Sequence, residues 1–157
     1  PTEYLNVPNQ FMKDCARRIL EEQGIPVWFG ADCHPMMDRA NGAWATDLFE
    51  YGRVYDVDFD LDKEGRVRFG DSAMNHAMAF VGVDVADDGH TTRRWRVENS
   101  WGDKIADKGY FTMSDDWFTE YVYEVAVPKA LLSDEYLKAL EEPAQMLPAW
   151  DPMGALA

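Results

Sequence analysis

Two apolar segments, each with a polar residue at one end, constrain the fold of this chain more than any other feature. Residues 77–83 and 94–98 are rich in β-branched and aromatic side chains, and an Asp-Asp-Gly-His turn lies between them at 87–90. Such runs, separated by turn residues, are typical of two antiparallel strands. His76 precedes the first strand and Asn99 follows the second, so strand pairing is expected to bring their side chains together.

Further strands are predicted at residues 25–29, 54–61, 67–69, 110–113 and 121–127. Over 54–61 apolar and acidic residues alternate, which is the period-two pattern of a strand with one solvated face. Residues 63–65 are predicted to form the turn that follows. Residues 31–45 are rich in small, polar and turn-forming types, so we expect a long loop there.

An amphipathic helix is predicted near the start of the chain. Phe11, Cys15 and Ile19 recur every four residues, which places them on one apolar face. The side-chain oxygen of Asn9 is expected to cap this helix, and Gly24 is expected to end it.

Serine residues mark two later helical starts. Ser114 precedes a predicted helical turn, and Ser133 precedes a short helix that is predicted to run to Glu141. Prolines then recur and break regular structure. These patterns predict a β-rich lobe with a leading helix over residues 1–127, followed by a C-terminal helix and an extended arm over 128–157.

Composition excludes several classes of function. The formal charge of −14 repels nucleic-acid phosphates and anionic membranes, so neither is an expected partner. No apolar run approaches the roughly 20 residues of a membrane span. The two cysteines are too few for a disulfide framework, which favours a reducing cytoplasm. The chain begins at Pro1 without an initiator Met, so we expect it to be a piece of a longer protein.

The pair of His76 and Asn99 has the chemistry of a general base and its orienting residue. An amide oxygen can accept the proton of one imidazole nitrogen and fix the ring, while the other nitrogen faces a nucleophilic thiol. Trp101 is expected to shield that hydrogen bond from water and so to strengthen it.

This stretch resembles the papain-like cysteine peptidases, in which a His-Ala strand is followed by an Asn-Ser-Trp-Gly turn. More narrowly, four segments are similar to bleomycin hydrolase and bacterial aminopeptidase C: residues 69–72, 95–102, 117–125 and 147–157. The resemblance implies an α+β papain-like fold, to which this chain supplies the β-rich lobe and the C-terminal arm.

The resemblance also implies an activity. It indicates a cytoplasmic cysteine aminopeptidase that needs no cofactor, acts on peptides with a free N-terminus and assembles as a homo-hexamer. The carboxylate of Ala157 is expected to pair with the substrate's α-ammonium group. Asn75 is expected to line the substrate cleft beside His76.

The nucleophile is not expected within these residues. In the family, the catalytic cysteine and the glutamine of the oxyanion hole belong to the N-terminal half of the enzyme, which would be a required partner. Cys15 lies on the apolar helix face, where a buried thiol is inert. Cys33 is predicted to be more exposed, but no Cys-Trp pair opening a helix surrounds it. This chain is therefore expected to be inactive alone.

Two alternatives remain open at the level of sequence. The first is a noncatalytic binding or assembly module with a degenerate papain-like lobe. The second is a calcium loop, because Asp60, Asp62, Glu64, Gly65 and Asp71 fit its template. A hairpin with a solvated acidic face is the preferred interpretation, because the flanks are predicted strands. No metal site is predicted, since Cys33-His34 lacks a second ligand pair.

Overall fold

A mixed β-sheet forms the centre of the molecule. The computed structural model describes residues 4–59 and 61–151, and within them seven strands are arranged in the order β2-β3-β6-β5-β4-β1-β7. The strands are β1 Val27–Ala31, β2 Met37–Asp38, β3 Ala43–Trp44, β4 His76–Val85, β5 Thr92–Glu98, β6 Tyr110–Ser114 and β7 Val122–Val125. Their pairings are antiparallel except for β3 with β6. The helices are α1 Asn9–Arg18, α2 Tyr51–Tyr55, α3 Lys63–Arg68, α4 Asp115–Tyr121 and α5 Asp134–Ala139.

The predicted pair of strands forms the β4–β5 hairpin at the middle of the sheet. Phe80 lies opposite Val97, and both are fully buried. The ring of Phe80 stacks on Phe29 of β1 with 3.7 Å between centroids, and it also packs against Trp95 and Phe118. Burial of side chains of this size contributes roughly 2–3 kcal/mol each, so these aromatic contacts anchor the hairpin.

Helix α1 packs its predicted apolar face inward, but its start differs from the prediction. Cys15 and Ile19 are buried as expected. The N-cap is Pro8, and the predicted cap by Asn9 is wrong, because its side-chain amide instead donates to the carbonyl of Thr119 at 2.9 Å. A π-helical turn over Ile19–Gln23 extends α1 and ends at a left-handed Gly24. The asparagine therefore ties α1 to α4 instead of capping α1.

The long predicted loop after β1 contains a small hairpin. β2 and β3 pair with each other, and β3 then joins the sheet alongside β6. Trp44 is buried, and its indole N–H donates to the carbonyl of Cys33 at 3.0 Å. Its ring packs against Phe111 and Trp117. These contacts hold the loop against the sheet beside the start of β4.

The strands predicted at 54–61 and 67–69, and the turn predicted between them, are wrong. The described part of this segment forms α2 and α3 joined by irregular chain. Asp62 caps α3 by accepting from the backbone N–H of Gly65 at 2.7 Å, and Glu64 pairs with Arg68 one turn on. The apolar residues of the alternating pattern are exposed, including Val54 at 74%. Alternation produced no strand in the described part of this segment, because no described strand lies beside it to share hydrogen bonds and its apolar residues are not buried.

The C-terminal elements largely follow the prediction. Ser114 accepts from the N–H of Trp117 and caps α4, which leads into β7. Ser133 caps α5, which ends at Ala139, two residues before the predicted end. The division of the chain at residue 127 remains a prediction. Within residues 4–59 and 61–151, no helix is long and apolar enough to cross a membrane.

Candidate active site

The predicted base and its orienting residue lie in contact. His76 begins β4 and Asn99 follows the last residue of β5, so the antiparallel pairing of Ala79 with Glu98 brings them to the same end of the hairpin. The Nε2 atom of His76 lies 2.8 Å from Oδ1 of Asn99. This oxygen also accepts the backbone N–H of Ser100 at 2.7 Å. Because it accepts a fixed N–H, it is oriented to accept from Nε2–H, which leaves Nδ1 of the imidazole for a substrate or a nucleophile.

An indole covers the pair. The ring of Trp101 lies nearly parallel to the imidazole of His76, with 5.3 Å between centroids and 14° between planes. Phe111 of β6 meets the indole edge-on at 5.7 Å. Asn99 is only 8% exposed, so its hydrogen bond to His76 lies in a region of low dielectric, where such bonds are stronger. The turn that follows depends on Gly102, whose φ of 86° favours glycine.

Asn75 is exposed beside His76 and belongs to a polar cluster. Its Oδ1 accepts the backbone N–H of Cys33 at 3.0 Å, and its Nδ2 donates to Asp32 at 2.6 Å. The same Nδ2 lies 3.1 Å from Nδ1 of the exposed His34. The predicted role of Asn75 in lining a substrate cleft remains a prediction. Its contacts show that it also joins the end of β1 to the start of β4.

Sequence reasoning missed the other members of this cluster. The carboxylate of Asp32 is buried and accepts from the hydroxyl of Ser72 at 2.8 Å, and that hydroxyl lies 2.7 Å from the hydroxyl of Tyr123. Burial is the main reason that the pKa of Tyr123 is raised. Little in the sequence indicated this cluster, because the three residues are far apart in the chain. The one indication was the position of Asp32 directly after an apolar strand.

Neither cysteine has the surroundings of a nucleophile. The prediction that Cys33 is exposed is wrong, because the residue is 2% exposed behind Trp44. Burial, assisted by the charge of Asp32, raises the pKa of the Cys33 thiol to about 11. Burial likewise raises the pKa of Cys15. Both thiols are therefore protonated near neutral pH and lack the thiolate that a cysteine nucleophile requires.

Two features predicted from the sequence, the Ala157 carboxylate and the calcium loop, lie wholly or partly outside the described residues. Ala157 and Asp60 lie outside the described residues. Of the remaining members of the calcium template, Asp62 caps α3 and Glu64 pairs with Arg68. Across residues 4–59 and 61–151, no three His, Cys, Asp or Glu side chains are grouped to hold a metal ion. His90 is exposed in the turn between β4 and β5.

Comparisons with known proteins identify relatives of this chain. The model of the Peptidase C1-like family matches residues 1–154. Aminopeptidase C of Streptococcus thermophilus is 42% identical over 154 residues, which cover 98% of this chain and 34% of that protein. Aminopeptidase W of Lactobacillus delbrueckii subsp. lactis is 45% identical over 151 residues, which cover 96% of this chain and 34% of that protein.

A solved structure has the same fold. The crystal structure of PepW from Lactobacillus rhamnosis superimposes with a TM-score of 0.90 at 39% identity, over 98% of this chain and 34% of that chain. The α+β papain-like fold expected from the sequence is therefore confirmed. This chain spans about a third of the length of the relatives that it matches. It belongs to the Peptidase C1-like family and corresponds to a C-terminal portion of a protein of the bleomycin hydrolase and aminopeptidase C type.

Proposed function

We propose that this chain is the base-bearing part of a cysteine aminopeptidase, which removes N-terminal residues from peptides by thiol acylation. The observation that carries the proposal is the contact of His76 Nε2 with Asn99 Oδ1 beneath Trp101. An imidazole that is fixed by an amide and leaves one nitrogen for the reaction is the Cys-His-Asn form of the catalytic triad.

The chemistry assigned to His76 consists of four proton transfers. The imidazole accepts the proton of the nucleophilic thiol as that thiol attacks the scissile carbonyl, and it then gives this proton to the leaving amine. It next accepts a proton from the water that attacks the acyl group, and it returns this proton to the departing thiolate. Asn99 holds the ring in one orientation throughout, because its oxygen is itself fixed by the N–H of Ser100.

The nucleophile is proposed to come from an N-terminal part of the same enzyme. The buried, protonated state of Cys33 and Cys15 supports this assignment. The same part would supply the glutamine of the oxyanion hole. Because this chain spans about a third of its relatives' length, a further part of that kind has room in the complete protein. The chain alone is expected to be inactive.

The remaining proposals concern the substrate and the assembly. The relatives are named aminopeptidases, which supports peptides with a free N-terminus as substrates. The carboxylate of Ala157 is proposed to pair with the α-ammonium group of the substrate, and Asn75 is proposed to line the cleft. The complete enzyme is proposed to be a cytoplasmic homo-hexamer that needs no cofactor.

A noncatalytic assembly module is the second candidate. Exposed apolar side chains favour it, among them Val54, Tyr55, Phe59 and Phe69, since a surface of this kind often meets a partner. The two candidates differ in one measurable respect. An assembly module would bind the N-terminal part without turning over any substrate.

The test uses amino-acid 4-nitroanilides as substrates. This chain is assayed alone and then as the complete enzyme, in which it is joined to the proposed N-terminal part. His76→Ala is expected to lower kcat by about 10³-fold or more. His90→Ala is the matched control, because His90 is exposed in a distant turn, and it should leave kcat unchanged.

Three outcomes would overturn parts of the proposal. Full activity of His76→Ala would reject the triad. Turnover by this chain alone that stops when Cys33 is alkylated would show that the nucleophile was misassigned. Absence of turnover by the complete enzyme, with tight binding of its two parts, would favour the assembly module.

A further inference from the structure

One arginine beside the site differs from the others in its partners. The chain has nine arginines. Eight of them form ion pairs: Arg17, Arg18, Arg53, Arg66, Arg68, Arg93, Arg94 and Arg96. Arg39 is exposed and forms no ion pair within residues 4–59 and 61–151.

The loop that carries Arg39 is ordered by its own hydrogen bonds. Arg39 lies between β2 and β3, where the N–H of Gly42 donates to the carbonyl of Asp38 at 2.8 Å. The carboxylate of Asp38 accepts the backbone N–H groups of Ala40 and Asn41, and it also accepts the side-chain amide of Asn41. The nearest carboxylate in sequence is thus used within the turn and does not neutralise Arg39.

The guanidinium of Arg39 stands over the indole that covers the catalytic pair. Its central carbon lies 4.9 Å from the centroid of the Trp101 ring, which is within the range of a cation–π contact. The same indole stacks on His76. A guanidinium placed over an aromatic ring keeps N–H groups at its edge that can bind a carboxylate in bidentate fashion.

We propose that Arg39 binds a carboxylate on the leaving-group side of the substrate. This inference rests on the proposed function, in which His76 protonates the leaving amine, so the leaving group must pass next to the imidazole. An extended peptide advances about 3.5 Å per residue. One or two residues beyond the scissile bond therefore extend about 3.5–7 Å past it, which is the scale of the distances that join His76, the Trp101 indole and the guanidinium.

Two sources could supply this carboxylate. It is either the C-terminal carboxylate of a dipeptide or tripeptide, or the side chain of an acidic residue that follows the scissile bond. A free C-terminus is expected to dominate for short substrates, because it lies within this reach in each of them. The site would thus favour the final steps of peptide breakdown, in which short products of other peptidases are cut to amino acids.

The test compares substrate pairs that differ only in charge. The first pair is Ala-Ala and Ala-Ala amide, and the second is Ala-Asp amide and Ala-Asn amide. The complete enzyme and its Arg39→Gln variant are assayed on both pairs for the ratio of kcat/KM values. Arg39→Gln is expected to lower the Ala-Ala to Ala-Ala amide ratio roughly fivefold, the range of an exposed ion pair. Added salt should reduce the wild-type ratio in the same direction.

The control variant removes the same charge elsewhere. Arg93→Gln breaks an exposed ion pair with Asp84 near the other end of β4, roughly 25 Å from His76. It should leave both substrate ratios unchanged. Arg93→Gln should also hydrolyse alanine 4-nitroanilide as the wild type does, because the residue lies far from the candidate site. The ratio within each substrate pair cancels any general effect of Arg39→Gln on turnover.

The two substrate pairs identify which carboxylate Arg39 binds. An NMR titration with dialanine measures this binding separately from catalysis. A loss confined to the first pair indicates the C-terminal carboxylate, and a loss confined to the second indicates an acidic side chain. Dialanine, but not its amide, should shift the indole N–H signal of Trp101 in the NMR spectrum of the wild type and not of Arg39→Gln. If the complete enzyme showed this shift but no turnover, the proposed function would be rejected and the binding of a carboxylate by Arg39 would stand. Unchanged ratios in Arg39→Gln, or absence of the shift, would overturn the site.

Discussion

The β4–β5 hairpin and the segment over residues 49–69, here called the acidic segment, contain similar types of side chain but form different structures. Both combine aromatic and β-branched residues with charged ones. In the hairpin Phe80, Trp95 and Val97 are fully buried, whereas in the acidic segment Val54 and Phe59 are mostly exposed. The hairpin is surrounded by β1 and β6 in the sheet, and the acidic segment has no strand beside it. Neighbouring strands, more than composition, therefore decide which of the two becomes sheet.

This difference explains why the two side chains of the candidate site lie where they do. His76 and Asn99 stand at one end of a hairpin whose register is fixed by buried aromatic residues, so a one-residue slip would expose that core. The described part of the acidic segment pairs with no strand, so no strand register fixes the positions of its side chains. Its helix α3 is held through two basic residues, Lys63 and Arg66, which bind groups of α4 and of the chain just after it.

The largest expected contrast is in stability. Trp95→Ala should lower the free energy of unfolding by about 3–5 kcal/mol, because it removes a fully buried indole and leaves a cavity. Val54→Ala, at a residue 74% exposed in the acidic segment, should change it by less than about 0.5 kcal/mol. Urea unfolding followed by circular dichroism measures both. Equal losses would mean that the acidic segment is packed against a partner in solution.

A smaller effect is expected where the two regions are joined. Lys63 donates to the carbonyl of Thr119 at 3.0 Å and also to that of Val122. Lys63→Met should cost about 1–3 kcal/mol, because those partly buried carbonyls lose a charged donor. Hydrogen exchange should then quicken in α3 while β4 and β5 keep their protection. Quickening of both regions together would show that the acidic segment is part of one cooperative unit with the sheet.

The same lysine predicts a dependence on pH. Burial is the main reason that the pKa of Lys63 is lowered from 10.5 to about 8. Between these values the unfolded chain binds more protons than the folded chain, so the contribution of Lys63 to stability increases as pH rises through this window. The difference in unfolding free energy between wild type and Lys63→Met should therefore grow from pH 8 to pH 10.5. A constant difference would contradict the lowered pKa.

Much of the hairpin and of the candidate site was predictable, because local pattern and tertiary packing agree there. The strands around His76 and Asn99, the contact between these residues and the cover by Trp101 all follow from residue types and short spacings. The strands predicted in the acidic segment were wrong for a physical reason. Alternation reports which side chains share a face, but it does not report whether a partner strand is available.

Features that depend on distant parts of the chain were not predictable. The burial of Cys33 arises because Trp44 folds back over it, and the polar neighbours of this cysteine in sequence indicated the opposite. The cluster of Asp32, Ser72 and Tyr123 joins three segments that only the sheet brings together. Pairing in space, and not residue type, made these residues part of the site's surroundings.

The smallest expected effect comes from removing a helix cap, and it can be compared between α3 in the acidic segment and α4 beside the sheet. Asp62 caps α3 and Ser114 caps α4, and each side chain accepts the N–H of the residue three positions on. Ser114→Ala should lower the free energy of unfolding by about 1 kcal/mol, because α4 carries the buried Trp117 into the core. Asp62→Ala removes an equivalent hydrogen bond, but α3 buries no residue, so we expect faster hydrogen exchange within α3 and almost no change in global unfolding. If Asp62→Ala instead cost as much as Ser114→Ala, α3 would have to unfold together with the sheet, and the separation between hairpin and acidic segment would not hold.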